Sequence, residues 1–339
     1  MAGEESLKLM IQFLADNIDQ LDLALDQLAI SDRNFDRFAL MLIDNVVELT
    51  LHKYAQDKAA ENDGWRSIEE PKYDPKIIER ALGQNFDAKV KIAAKLGLIS
   101  DVACESILNL HSFRNTAYHQ GLRHEKILHS LAVFYFRNAC SLLKAYKPRW
   151  WSWGGADKIS HRATKYIGKE TFLVQEEVFE AAYQRLDDVA AMMEEDLVAD
   201  LTLDMFETID SVDGNIAFLS ENAQPQHSRD EVVVDSQAWP FAFTDAAKEF
   251  STENGCPEVA IGPYVAWLAS HYDWPLKKDP ISSWNVRLDA LRKEKDYHKA
   301  LKRYCDFMRQ TEDVRSKISE SAQQLDGYIQ QQIDIARGK

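Results

Sequence analysis

Apolar residues in this chain recur at steps of three and four from one end to the other, and no period-two alternation persists anywhere. A half-buried strand requires that alternation, whereas a helix needs the longer step. Only 13 glycines and 9 prolines punctuate 339 residues, so long uninterrupted elements are expected. The chain is therefore read as all-α. Its first helix, about 5–29, carries Leu7, Ile11, Leu14, Ile18, Leu21, Leu25 and Leu28 in a heptad seam, suited to self-association or to packing in a bundle. A second helix, about 32–58, starts at the cap signal Ser31-Asp32 and is apolar nearly all round from Phe38 to Leu51, which makes it central. Asp44, Asn45 and Glu48 interrupt that run, with Asp44 and Glu48 on one face. Polar groups there either pair with a cation or line a cleft, so Asp44 and Glu48 are candidate substrate-binding residues.

Further helices are expected at about 75–97, stopped by Gly97, at about 101–120, between Ser100-Asp101 and Gly121, and at about 124–146 before Pro148. The aromatic turn at Arg149-Trp-Trp-Ser-Trp reads as a junction, and base stacking by Trp150, Trp151 and Trp153 is the less favoured alternative. Helices at about 172–200 and 201–210 follow. The stretch 221–238 reads as a linker with a short strand at Glu231-Val-Val-Val. Helices at about 241–253, 257–272, 283–310 and 312–336 complete the chain. Val314, Ile318, Leu325, Ile329 and Ile333 form a stripe on the last, expected to be a docking surface. The expected domains are 1–148, an acidic helical connector at 149–220, the linker 221–238, and a C-terminal helical domain at 239–339.

Charge is unevenly placed. Residues 151–250 hold 7 Lys and Arg against 21 Asp and Glu, a balance of −14, within a chain of net charge −15. Residues 101–150 hold 7 against 3, or +4. So acidic a chain is a poor nonspecific nucleic-acid binder, and RNA would be engaged locally in that basic stretch. The acidic block is a candidate RNA mimic that restrains the site. Four scattered cysteines without CxxC spacing point to a reduced, cytoplasmic chain with no metal site. No run of about 18 apolar residues is present and no signal peptide is expected, so no membrane role is foreseen.

The basic stretch contains Ser112-Phe-Arg-Asn-Thr-Ala-Tyr-His-Gln-Gly121. On a helix Asn115 and His119 point the same way, with Arg114 offset by about 100°. Arginine is a permanent cation whose planar fork matches phosphate oxygens. Histidine carries a proton near neutral pH, and asparagine can orient the imidazole or bind the substrate. RNA supplies its own nucleophile, the 2′-OH, so these residues suffice for transesterification without a metal or cofactor. One histidine cannot easily make both proton transfers, whereas two copies facing each other across a dimer could. Arg114 and His119, with Asn115, are the candidate catalytic residues; Tyr118 and Arg123 join Asp44 and Glu48 as candidate substrate contacts. The same arginine–histidine spacing recurs at Arg123/His129, which straddles the next helix start, and at Arg292/His298, expected on a solvated charged face.

Phe113 to Gly121, on the penultimate helix of a four- to five-helix unit, resembles the signature of the HEPN superfamily. Its members are small dimerising helical bundles, many of them metal-independent ribonucleases of toxin–antitoxin, abortive-infection and CRISPR systems. The resemblance covers about 31–146 and implies a HEPN-like helical bundle followed by a second helical region. It implies Arg114 and His119 as the catalytic pair and Asn115 as the polar residue after the arginine. Some toxins of the superfamily carry a tyrosine two residues beyond the histidine, where this chain has Gly121. The implied function is an endoribonuclease of toxin or phage-defence type at a composite dimer site. Its partners would be RNA, a second copy, and an antitoxin or defence-system protein. The alternative is a noncatalytic nucleotide- or partner-binding module, in which Arg114 pairs with Glu48 or Asp44 and His119 caps its helix. A purely structural adaptor is the third reading.

Overall fold

A computed structural model describes residues 10–65, 71–119, 125–149, 159–168, 176–193, 196–257 and 260–338. All regular structure among them is helical, with 14 α-helices and no strand. In chain order the helices are α1 (Met10–Leu28), α2 (Arg33–Trp65), α3 (Pro75–Leu82), α4 (Phe86–Lys95) and α5 (Asp101–His119). A 3₁₀ turn (Glu125–Ile127) leads to α6 (Leu128–Ala145), α7 (His161–Ile167), α8 (Glu176–Ala191) and α9 (Leu197–Asn222). The remainder are α10 (Arg229–Phe241), α11 (Asp245–Glu253), α12 (Ile261–His271), α13 (Ile281–Arg292) and α14 (Tyr297–Ala336). None of the described helices is long and apolar enough to cross a membrane. The chain forms two compact units, Met1–Asp200 with Asp296–Lys302, and Leu201–Lys295 with Arg303–Lys339.

In the first unit α2 is the central element, packed by α1, α3, α4, α5 and α6. Ala39, Leu40, Ile43, Val46, Val47 and Leu51 are fully buried along it, as its apolar run requires. The heptad seam of α1 settles between its two readings: Ile11, Leu14, Ile18, Leu21, Leu25 and Leu28 are all buried against helices of the same unit. Those side chains are consequently not a surface for self-association. Leu7 lies outside the described residues.

The expected boundary at 148 is not where the chain divides. α7 packs on α1, and α8 packs on α6, α7 and α1. Electrostatics explain the attachment. Asp22 is buried on α1 and receives Tyr166 Oη at 2.6 Å, Arg162 Nη1 at 2.7 Å and Lys165 Nζ at 2.9 Å. Burial raises the Asp22 carboxyl, but those three donors outweigh it and hold the group below its usual value. The aromatic segment 150–158, with its tryptophans, lies outside the described residues.

Several element boundaries also differ from expectation. The helix expected over 75–97 is two helices, because Asn85 accepts from Ala88 N at 3.0 Å and restarts the chain as α4. The break expected at residue 200 falls earlier, where Asp196 Oδ1 accepts from Val198 N and Ala199 N, both at 3.1 Å. The strand expected at 231–234 is helix. Ser228 and Glu231 form a reciprocal capping box that starts α10, and this local hydrogen bonding overrides the β-branched valines. The linker is thus confined to the few residues between α9 and α10.

The second unit is built on α10, α11 and α12 around Ala238, Ala247, Val265, Leu268 and Trp274, with Phe241 tilted on Tyr272 at 4.5 Å. Trp284 of α13 meets Phe307 of α14 edge-on at 5.5 Å. The helices expected at 283–310 and 312–336 are redistributed, with a break at 293–296 and a continuous α14. Val314 and Ile318 of the expected docking stripe are buried, so two of its five residues are core.

Candidate active site

α5 is anchored at its start and along its buried face. Ser100 Oγ accepts from Ala103 N at 3.2 Å at its start, and Asp101 in the first turn suits the helix dipole. Ile107, Leu110 and Ala117 are buried along it. Those anchors set the helix rotation, which brings His111, Arg114 and Asn115, three and four residues apart, to one side.

Asp44 of α2 faces them and is wholly inaccessible to solvent, at 0% exposure. Its Oδ1 receives His111 Nδ1 at 2.9 Å and the Tyr135 hydroxyl of α6 at 2.8 Å. Its Oδ2 lies 3.3 Å from Arg114 Nε, an ion pair whose alignment is too poor for a hydrogen bond although both atoms are buried. Arg114 Nη1 donates to Asn115 Oδ1 at 2.9 Å. The guanidinium is therefore held at its base by a carboxylate and at one arm by an amide, while the side chain stays 30% exposed.

Tyr135 closes the network from behind. Burial, then the Asp44 charge, pushes its phenol far above the usual value, so it remains a proton donor to the carboxylate. The His111 ring stacks on Phe86 of α4, with centroids 3.7 Å apart and planes 8° from parallel. Three helices thus fix one carboxylate and two side chains of a fourth.

The expected site residues separate accordingly. Arg114 and Asn115 come together, with the Asn115 carbonyl accepting from the arginine. Asp44, expected at the substrate, is buried and bonds within the protein, because α5 and α6 bring His111, Arg114 and Tyr135 onto it. Glu48 pairs with Lys89 of α4 at 2.7 Å, the cation reading of that residue. His52, one turn further along α2, has its imidazole lowered by burial and then by the Lys89 cation. His119 and Tyr118 occupy the last turn of α5, and their side chains, like Arg123 and Gly121, lie outside the described residues. His129 meets Asp36 at 2.6 Å. His298 is not on a solvated face: its Nδ1 lies 2.8 Å from Ser106 Oγ, and its ring meets Phe134 edge-on at 5.0 Å.

Sequence reasoning passed over His111 and Tyr135. His111 precedes Arg114 by three and Asn115 by four, the spacing that shares a helix face, and that signal was present in the sequence. Tyr135 reaches Asp44 from another helix, and no local pattern announces such a pairing. Comparison of the chain with protein-family models, with curated proteins and with solved structures gives no match in any of the three.

Proposed function

We propose that this chain is a metal-independent endoribonuclease of HEPN type that cleaves RNA by attack of its own 2′-OH. One observation carries the reading: Arg114 is a partly exposed guanidinium held by Asp44 and Asn115, five residues before His119 at the end of the same helix. A preoriented cation is what a phosphate acquiring charge requires, since no reorganisation is needed as the reaction proceeds. Arg114 binds the scissile phosphate and stabilises the phosphorane. His119 transfers a proton, and a second copy of the chain completes the groove. The resemblance in the sequence of α5 adds toxin or phage-defence use, with an antitoxin or defence-system protein as partner.

Purified protein is expected to cut RNA in the presence of EDTA and to leave a 2′,3′-cyclic phosphate. His119→Ala and Arg114→Ala should each abolish cutting. Cleavage that stops in EDTA, or survives intact in His119→Ala, defeats the proposal. The Asp44–Arg114 ion pair favours a second reading, a noncatalytic module that holds a nucleotide or partner at the same arginine. Nucleotide binding without RNA turnover would select it.

A further inference from the structure

Transesterification needs two proton transfers, and a permanently charged arginine makes neither. His111 sits on the carboxylate that also holds Arg114. With Asp44 Oδ1 as acceptor at 2.9 Å, Nδ1 carries the ring proton and the neutral imidazole presents its lone pair at Nε2. Phe86 fixes the plane of the ring. The side chain is 18% exposed, and among the described residues no hydrogen-bond partner meets Nε2. One turn further along, the Arg114 guanidinium leaves the same carboxylate toward solvent.

We propose that His111 is the general base of this site, taking the proton of the RNA 2′-OH on Nε2 while His119 gives a proton to the departing 5′-oxygen. The inference rests on the nuclease reading above. The 2′-oxygen forms its bond to phosphorus and the bond from phosphorus to the 5′-oxygen breaks. The products are a 2′,3′-cyclic phosphate and a 5′-hydroxyl end. The proton lost by the 2′-OH resides on His111, the one gained by the 5′-oxygen came from His119, and exchange with water restores both rings. Asp44 compensates the charge that His111 acquires, as a buried carboxylate does for an imidazole acting as base. The other charged or titratable groups around it are Tyr135 from α6, Arg114 on its own helix, and the Glu48–Lys89 pair linking α2 to α4.

The test uses the full chain in EDTA with two substrates. One is uridylyl-3′,5′-adenosine, whose leaving oxygen needs a proton. The other is uridine 3′-(4-nitrophenyl phosphate), whose leaving group departs without one. His111→Asn keeps a donor toward Asp44 but has no proton carrier. It should lower kcat about 10²–10⁴-fold on both esters with little change in KM. His119→Ala should lose the dinucleotide reaction and retain that of the nitrophenyl ester. In His119→Ala that retained rate should rise with pH to a plateau, as one remaining base ionises. His111→Asn with wild-type kcat on the nitrophenyl ester overturns the inference and leaves the nuclease reading standing. A pH-independent rate in His119→Ala does the same, even where His111→Asn fails to fold. Wild-type protein inactive on both esters overturns the nuclease reading and this inference together.

Discussion

Asp44 gathers His111, Arg114 and Tyr135 from two other helices around one carboxylate. A carboxylate wholly removed from water persists only when it is compensated, and here His111 and Tyr135 donate to Oδ1 while the Arg114 guanidinium forms an ion pair with Oδ2. Asp44→Ala strands the Tyr135 hydroxyl and a partly buried guanidinium, and should cost about 3 kcal/mol of unfolding free energy in urea. Arg114→Ala should cost clearly less, because Asp44 keeps His111 and Tyr135; equal losses would mean that the carboxylate does not organise the site. Asn17 is the opposite case, a buried amide on α1 whose oxygen and nitrogen both lack a partner among the described residues. Asn17→Leu removes that desolvation penalty and should raise the unfolding midpoint, by about 1 kcal/mol in free energy. A lower midpoint would place an ordered water at the amide. At this scale the sequence made Arg114 and Asn115 legible through chemistry and spacing. The anchors of Arg114 were less so: Asp44 was visible as a polar interruption, but which cation it meets depends on how α2 and α5 cross.

Among the elements, boundaries marked by a glycine or by a serine-aspartate pair were legible, as at Gly97 and at Ser100-Asp101 before α5. Boundaries made by a lone polar cap were not, because Asn85, Asp196 and Ser228 become caps only once the backbone turns. The C-terminal end of α2 has a pin that was also invisible in sequence. Glu61 accepts from Lys58 at 2.6 Å, from Tyr73 Oη at 2.8 Å and from Lys72 at 3.0 Å. Asn62 and the Tyr73 backbone bond in both directions, at 2.9 and 3.0 Å. Burial raises the Glu61 carboxyl, but the three donors prevail and bring it from 4.5 down to about 2. A carboxyl depressed on folding stabilises the native state above its unfolded value, and that contribution fades as pH falls toward the folded value. The melting temperature of wild type should therefore exceed that of Glu61→Gln near neutral pH. The gap should close between about pH 4.5 and pH 2. A gap that persists unchanged at the acid end would show that packing of Tyr73, and not the carboxylate, secures this corner.

For the whole molecule, the acidic excess of residues 151–250 is in large part structural. Asp187 accepts from Arg137 at 3.0 Å, Asp196 caps α9, Asp204 bonds Tyr304, and Arg229 joins Asp213 to Asp279. The aromatic turn at Arg149-Trp-Trp-Ser-Trp reads as a junction in the sequence, whereas packing extends wherever apolar faces remain uncovered. Phe179, Ala182, Tyr183 and Leu186 of α8 are buried against helices that precede residue 148. A chain cut after residue 148 would expose those receiving faces and leave Asp22 with none of Arg162, Lys165 or Tyr166. Such a chain should lose its cooperative melt and bind hydrophobic dye while keeping much of its helicity, since local propensity survives when tertiary packing does not. A chain cut after residue 200 lacks only the 296–302 segment of the first unit, and with it the Ser106–His298 bond and the Lys302–Glu105 ion pair. It should melt as one transition at a reduced temperature. If the shorter chain melts as sharply as the longer one, α7 and α8 are accessories and the unit carrying Arg114 ends at α6.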